Sequence, residues 1–375
     1  MKKATRGQLR RHNRELVLQA VYSEIALNRA ALAQVTGLTK PAISNLVSEL
    51  IDEGLLVEGG LGSSTDSGGK RPRLLRFVPD ARQVIGLALK PQNVRGVLTN
   101  LDGHLIATHE AELPALDPDT ALDVMVEVAN GLRAQLSAPL LCVGVGLPAV
   151  VDDAQSTVRF APQWDWHDLP LGAALSERLD VPAHVYNNKE LAAVAQIAGG
   201  DVAPDADLVT LLVNDSIGVG LVLGQKAHNS GSEIGHLMVD QVPLEQRLGW
   251  HAVAARAREL AQQHGTPALQ RPDLSYLVIR HAAANGDPAA LALRDELIEY
   301  LALSFAWIVA LLQPDHVSLA GAIADLGDDF LARIVDRMHD MVLPLGEMQF
   351  TLTNMANLVA RGAAAQAVHR ELGLL

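Results

Sequence analysis

Apolar residues recur at helical spacing in two blocks near the N-terminus: Ala31, Leu32, Val35 and Leu38, then Ile43, Leu46, Val47, Leu50 and Ile51. Gly37 interrupts between them and Thr39 is placed to cap the second block, so the pattern predicts two helices joined by a tight turn. Pro41 falls in the first turn of the second helix, where its missing N–H costs little. An earlier amphipathic stretch from about Arg11 to Ile25 adds a third helix. Beyond Gly54, LLVEGG and KRPRLLRFV read as two short strands around the loop GSSTDSGG. Three helices and a two-stranded wing predict a winged helix-turn-helix over residues 1–80.

From residue 81 onward, strand-like and helix-like segments alternate. VIGLAL and VRGVLTNL, read as a hairpin around Lys90-Pro91-Gln92-Asn93, a helix over 119–136, the apolar strand LLCVGVGLPAVV, a helix over 171–179 and AHVYNN make one series. DLVTLLVN, GVGLVLG, helices over 251–263 and 288–312, HVSLAG and closing helices make a second. The class is α/β, and residues 81–375 are expected to form two lobes, 81–200 and 201–375, with a cleft between them. The longest apolar run, YLALSFAWIVALL at 300–312, suits a buried helix better than a membrane span.

Charge adds a functional asymmetry. The net charge of −13 over 375 residues divides into +4 through residue 80 and −17 beyond it. A basic head on an acidic body fits contact with nucleic acid through the head alone. The lone cysteine, Cys142, excludes a disulfide framework and a thiolate-rich metal site. The basic start MKKATRGQLRRHNRE is followed by no apolar segment of the secretory kind, so a cytoplasmic protein with no membrane partner is expected.

Within the head, Thr39, Lys40, Ala42, Ser44 and Asn45 are short or polar and fall on the side of the second helix away from its apolar stripe. Side chains of that kind can approach base edges and phosphates in a major groove. Lys70 and Arg71, with Arg73, follow a glycine-led loop, where a basic tip can clamp phosphate or enter a minor groove.

The body is similar to the ROK family of repressors, open reading frames and kinases, in its repressor branch of the type that answers to xylose or N-acetylglucosamine. The resemblance rests on GVGLPAVVD at 144–152, VYNNKELAAVAQ at 185–196, SIGVGLVL at 216–223, GSEIGHLMVD at 231–240 and HVSLAGAIA at 316–324, besides the hairpin and the head. It implies a two-lobed actin-like ATPase fold with a sugar between the lobes. Kinase members use an Asp, paired glycines and a Thr of the hairpin for Mg²⁺ and ATP phosphates; in that register this chain has Ala88, Lys90-Pro91 and Gln92. The second phosphate loop reads Asn214-Asp215-Ser216, the later glycine pair reads Ala320-Gly321-Ala322, and the family's catalytic Asp is Asn188. An amide cannot take a proton from a hydroxyl as a carboxylate does.

No catalytic residue, cofactor or metal ligand is therefore expected. The cysteines that hold zinc in many members are missing after His236. The resemblance leaves Pro148, Asn187, Asn188, Glu233, His236 and His251 as the effector-binding set, with a monosaccharide as the ligand it implies. Trp164 and Trp166 are expected to pack against a lobe edge. The combined expectation is a repressor that binds a double-stranded DNA operator as a homodimer or a dimer of dimers. A sugar kinase with a DNA-binding head, and a repressor whose body only dimerises, remain the alternatives.

Overall fold

In the computed structural model, residues 6–61, 72–228, 234–343, 346–353 and 357–374 are described. The head comprises α1 (Arg6–Tyr22), α2 (Arg29–Thr36), α3 (Lys40–Asp52) and the antiparallel pair β1 (Leu56–Leu61) and β2 (Arg73–Phe77). Asn28 caps α2 by accepting from the amides of Ala30 and Ala31, and Gly37 ends it in the left-handed region at φ 70°. Thr39 caps α3, whose buried stripe is Ile43, Leu46, Val47 and Leu50. Val35 departs from the expected stripe: it is 55% exposed, because α2 is only two turns long and buries a single position, Leu32.

The chain then builds β3 (Gln83–Leu89), β4 (Asn93–Asn100), β5 (Leu105–Glu112), α4 (Pro118–Arg133), β6 (Leu140–Leu147), β7 (Val150–Asp152), β8 (Thr157–Ala161), β9 (Trp166–Leu169), α5 (Leu171–Leu179) and β10 (Ala183–Asn187). A five-stranded sheet runs β10-β6-β3-β4-β5, with β3 antiparallel to β4 and parallel to β6. Every residue of β3 is buried, as a central strand covered on both faces requires. The run read as a single strand at 140–151 is two, broken at Pro148 and Ala149. Proline there removes a ladder donor and lets the chain leave the sheet. Trp164 and Trp166 are buried, 4.8 Å apart, and the Trp166 indole donates to the Leu116 carbonyl at 2.9 Å. They pack as expected.

The remaining elements are α6 (Asn188–Ala198), β11 (Leu208–Val213), β12 (Ile217–Leu223), β13 (Lys226–His228), β14 (Met238–Val239), β15 (Val242–Pro243), α7 (Glu245–Leu248), α8 (Trp250–His264), α9 (Tyr276–Ala284), α10 (Pro288–Leu312), β16 (His316–Ala320), α11 (Asp328–His339), β17 (Gln349–Thr353) and α12 (Leu358–Leu372). Their sheet, β13-β12-β11-β16-β17, repeats the first: an antiparallel meander, then a strand parallel to the meander's first strand, then one more beyond it.

The chain divides into two units. One runs through the head and first sheet to Leu147 and takes in Val151–Tyr186 and the chain from Ala363; the other holds Pro148–Val150 and Asn187–Gly362. The second unit thus begins at Asn187, ahead of the division expected near residue 200. The reason lies in α6, which is tied to the second sheet through Gln196. Its amide donates to the Thr210 hydroxyl at 2.8 Å and accepts from Thr353 at 2.6 Å, while Ser318 and Thr353 share a bond of 2.8 Å. Within the first unit, Tyr22 donates to Asp102 at 2.9 Å and Arg82 to the Glu53 carbonyl at 3.0 Å, joining the head to the first sheet.

Candidate functional site

On α3 the exposed positions Pro41, Ser44, Asn45 and Ser48 follow each other by three, one and three residues, which puts them on one face. Ser44 and Asn45 were legible from the sequence. Ser48 is exposed on the same face and extends the expected set by the same periodicity. Lys40 is exposed, Ala42 is half-buried, and the Thr39 hydroxyl accepts the Ala42 N–H at 3.4 Å, so Thr39 serves the helix start.

Among the described residues of the head, most arginines are engaged in ion pairs. Arg10 donates to Glu49 at 2.7 Å, Arg14 to Glu53, and Arg29 and Arg73 both to Glu58, the second at 2.7 Å. These pairs join α1 to α3 and the wing to α2. The two arginines hold the Glu58 carboxyl below its ordinary range. The glutamates are already counted in the formal excess of +4, most of which is carried by Lys2, Lys3, Lys70 and Arg71. All four lie outside the described residues.

In the first unit, the hairpin closes as the pattern predicts: the Lys90 amide donates to the Asn93 carbonyl at 3.0 Å, and Pro91 and Gln92 form the turn. In the second unit, the segment from Asn214 to Gly218 meets several of the candidate residues or their neighbours. Asn214 accepts the Ala322 N–H on its Oδ1 at 3.0 Å, and its carbonyl accepts the Trp250 N–H at 2.9 Å. Gly321 holds φ 99°, and a Cβ there would stand 2.4 Å from the Val213 carbonyl oxygen. The strand-to-helix turn after β16 thus presses directly on the loop after β11. Its first free amide is satisfied internally.

Asn188 opens α6 beside this segment. Its neighbour Lys189 runs across β12, so closely that a Cβ on Gly218 would lie 2.3 Å from the lysine side chain. Asn187 is the helix cap: its Oδ1 accepts from Lys189 at 2.8 Å and its Nδ2 donates to the Ala149 carbonyl at 2.8 Å. Both ends of that amide serve the fold, and they bring the half-buried Pro148 close to α6. Asn188 differs, because its Oδ1 is buried without a hydrogen-bond partner. A buried orphan acceptor of this kind suits a donor from a ligand.

His236 ends a short 3₁₀ turn, Ile234–His236, whose Gly235 packs on the Ile217 carbonyl; His236 is exposed. His251, at the start of α8, is 3.9 Å from the Asp215 carboxylate. Behind them Tyr276 is buried 4.8 Å from Trp250, and burial with the nearby Asp215 charge raises its hydroxyl pKa. Glu233 lies outside the described residues. Of the effector set, Pro148, Asn187, Asn188, His236 and His251 all belong to the second unit, and the neighbours Lys189 and Gly235 and the side chain of His251 meet residues 215–218. Among the described residues, no group of three or more His, Cys, Asp or Glu side chains could hold a metal ion. No described helix is long and apolar enough to cross a membrane.

The sequence profile of the ROK family matches residues 84–364. The xylose repressor of Bacillus subtilis (strain 168) is 25% identical over 324 residues, 84% of this chain and 83% of that protein. The glucokinase of Streptomyces coelicolor (strain ATCC BAA-471 / A3(2) / M145) is 23% identical over 271 residues, 65% of this chain and 83% of that protein. Among solved structures, a ROK family transcriptional regulator described as a homologue of the E. coli MLC protein superposes with a TM-score of 0.84 at 21% identity, covering 97% of this chain and 98% of that one. A ROK family glucokinase from Streptomyces griseus, in complex with glucose and AMPPNP, gives 0.66 at 22% identity over 76% of this chain and 98% of that one.

Proposed function

Since the chain belongs to the ROK family, with a winged helix-turn-helix ahead of the matched residues, we propose that it is a sugar-responsive transcriptional repressor. The head binds operator DNA through the exposed face of α3, and the second unit binds a monosaccharide, with xylose first in line because the similar repressors are named for it. Asn188, Glu233 and His236 contact its hydroxyls, and Pro148 shapes the loop beside them. Asn187 holds the start of α6 in place, and His251 lies at the edge of the site, oriented by Asp215.

The observation that carries this reading is the paired change at the family's chemical positions. An amide stands where the kinases have a base, and Asn214 occupies the amide of Ala322. With no base and an acidic residue in the phosphate loop, the site is left with binding rather than phosphoryl transfer. Similarity to glucokinases keeps a kinase as the competing reading. Sugar binding and operator binding are thermodynamically linked: if sugar weakens DNA binding by a factor, DNA weakens sugar binding by the same factor. A dimer reading two half-sites is part of the proposal, and sedimentation of the protein with and without operator tests it. The function itself is tested by melting the protein with a panel of monosaccharides and with ATP. A saturable rise with one sugar and none with ATP supports the reading. A rise with ATP, or none with any sugar, contradicts it.

A further inference from the structure

Arg247 stands apart from its neighbours on the helices of the second unit. Arg256 donates to both oxygens of Glu296, at 2.6 and 2.9 Å, and to Glu259 at 3.0 Å. Arg294 reaches Asp329, Arg333 reaches Asp295 and Arg337 reaches Glu299. Arg247 has no ion pair or side-chain hydrogen bond among the described residues, and its Nε is buried without a partner. Its guanidinium lies over the Tyr300 ring, 5.4 Å from the centroid. That contact steadies the cation but gives Nε no acceptor. Arg247 is half-buried, and although Arg14 and Arg294 also carry a buried Nε without an acceptor, both of those are held by a carboxylate, which Arg247 lacks.

The same side chain lines a cavity of about 280 Å³ between α8 and α10. Ala252, Leu293 and Leu297 supply an apolar wall, while Glu259 and Glu296 are both held by Arg256. The four formal charges around the cavity cancel, so a dianion gains little there. Arg247 alone lacks a direct counter-charge. We propose that this cavity is a second ligand site, separate from the effector site, that takes a small organic monocarboxylate with an apolar body. The carboxylate meets Arg247, to which its planar oxygens are matched, and the body lies on Leu293 and Leu297.

The test titrates the full-length protein with benzoate and with butyrate, followed by calorimetry. Benzyl alcohol serves as the neutral comparison and inorganic phosphate as the more highly charged one. Saturable binding of both carboxylates but not of the alcohol is expected, weakened at least about tenfold in Arg247→Gln. Ala255→Phe, at an exposed position on the cavity wall, should have the same effect by filling the space, and it decides the matter if Arg247→Gln does not fold. Absence of saturable carboxylate binding, or binding unchanged in a folded variant, overturns the proposal. Phosphate binding tighter than benzoate overturns the assigned class. Chemical denaturation of each variant reports its folding, and xylose binding reports on the effector site separately.

Discussion

Asn214 Oδ1 lies 3.0 Å from the amide nitrogen of Ala322, so the side chain ending one strand caps the turn that follows another. Where a phosphate-binding loop leaves such amides open to a ligand, this chain satisfies one itself. Together with Asn188 in place of a carboxylate, this leads to the expectation that the protein incubated with ATP and xylose or glucose releases no ADP above a protein-free blank. Sustained ADP release dependent on sugar would sink the non-enzymatic reading. Asn214→Ala should lower stability by about 1 kcal/mol, the usual worth of a cap, measured by chemical denaturation.

The Gln196 amide joins α6 to three strands through hydroxyls that are themselves buried. Gln196→Ala leaves Thr210 and Thr353 short of partners and should cost about 1–3 kcal/mol. Because α6 carries Asn188, sugar affinity should fall as well. Denaturation midpoints and sugar titrations on the same variant check both effects. A variant as stable as the parent would show that the network contributes nothing net.

His316 is 3% exposed, and burial lowers its pKa; His369 is lowered by burial as well, with the Glu15 charge opposing. A lowered histidine pKa means that the unfolded chain binds more protons than the native one below the ordinary value of about 6.5. Their share of the stability is thus complete above that value and is lost as pH falls towards the native pKa values. Melting temperature should drop on acidification through this window, and His316→Gln should flatten the drop. An equally steep drop in the variant would assign the effect to other groups.

Much of this was readable because periodicity survives burial. The cap at Thr39, the turn at Gly37, α5 over 171–179 and α10 over 288–312 stand where the pattern put them. Edge elements were not readable in this way. β5 alternates exposed with half-buried residues and carries His109, Glu110 and Glu112, a composition shared with loops, and α9 is a nine-residue helix amid turns. At the site, the sequence indicated which residues to consider but not which atoms were free. Asn187 and Asn188 are chemically identical neighbours, yet one amide is consumed by the fold and the other keeps a buried orphan oxygen. The ion pairs of Arg10, Arg14, Arg29 and Arg73 were likewise invisible, because their partners lie 15 to 39 residues away.

Base reading and phosphate anchoring should separate in the head. Asn45→Ala and Ser48→Ala, on the exposed face of α3, should change base preference, at about 1–3 kcal/mol for a well-formed base contact. Lys70→Ala with Arg71→Ala should weaken all sequences alike and reduce the salt slope by about one unit per lost phosphate contact. Titrations of selected and scrambled duplexes at several salt concentrations distinguish the two. Unchanged preference in both α3 variants would move the reading surface elsewhere.

The central claim, that one chain couples sugar to operator, is tested most directly by operator affinity measured as xylose is added. The duplex is one the protein itself selects from a random pool, and the parent is compared with Asn188→Ala and Glu233→Ala. The account expects xylose to change the parent's affinity by about fivefold or more, within the usual range of allosteric coupling, and expects both variants to bind the duplex normally without responding. A parent whose operator affinity is indifferent to xylose and to every other monosaccharide tried would contradict it, as would variants that respond like the parent.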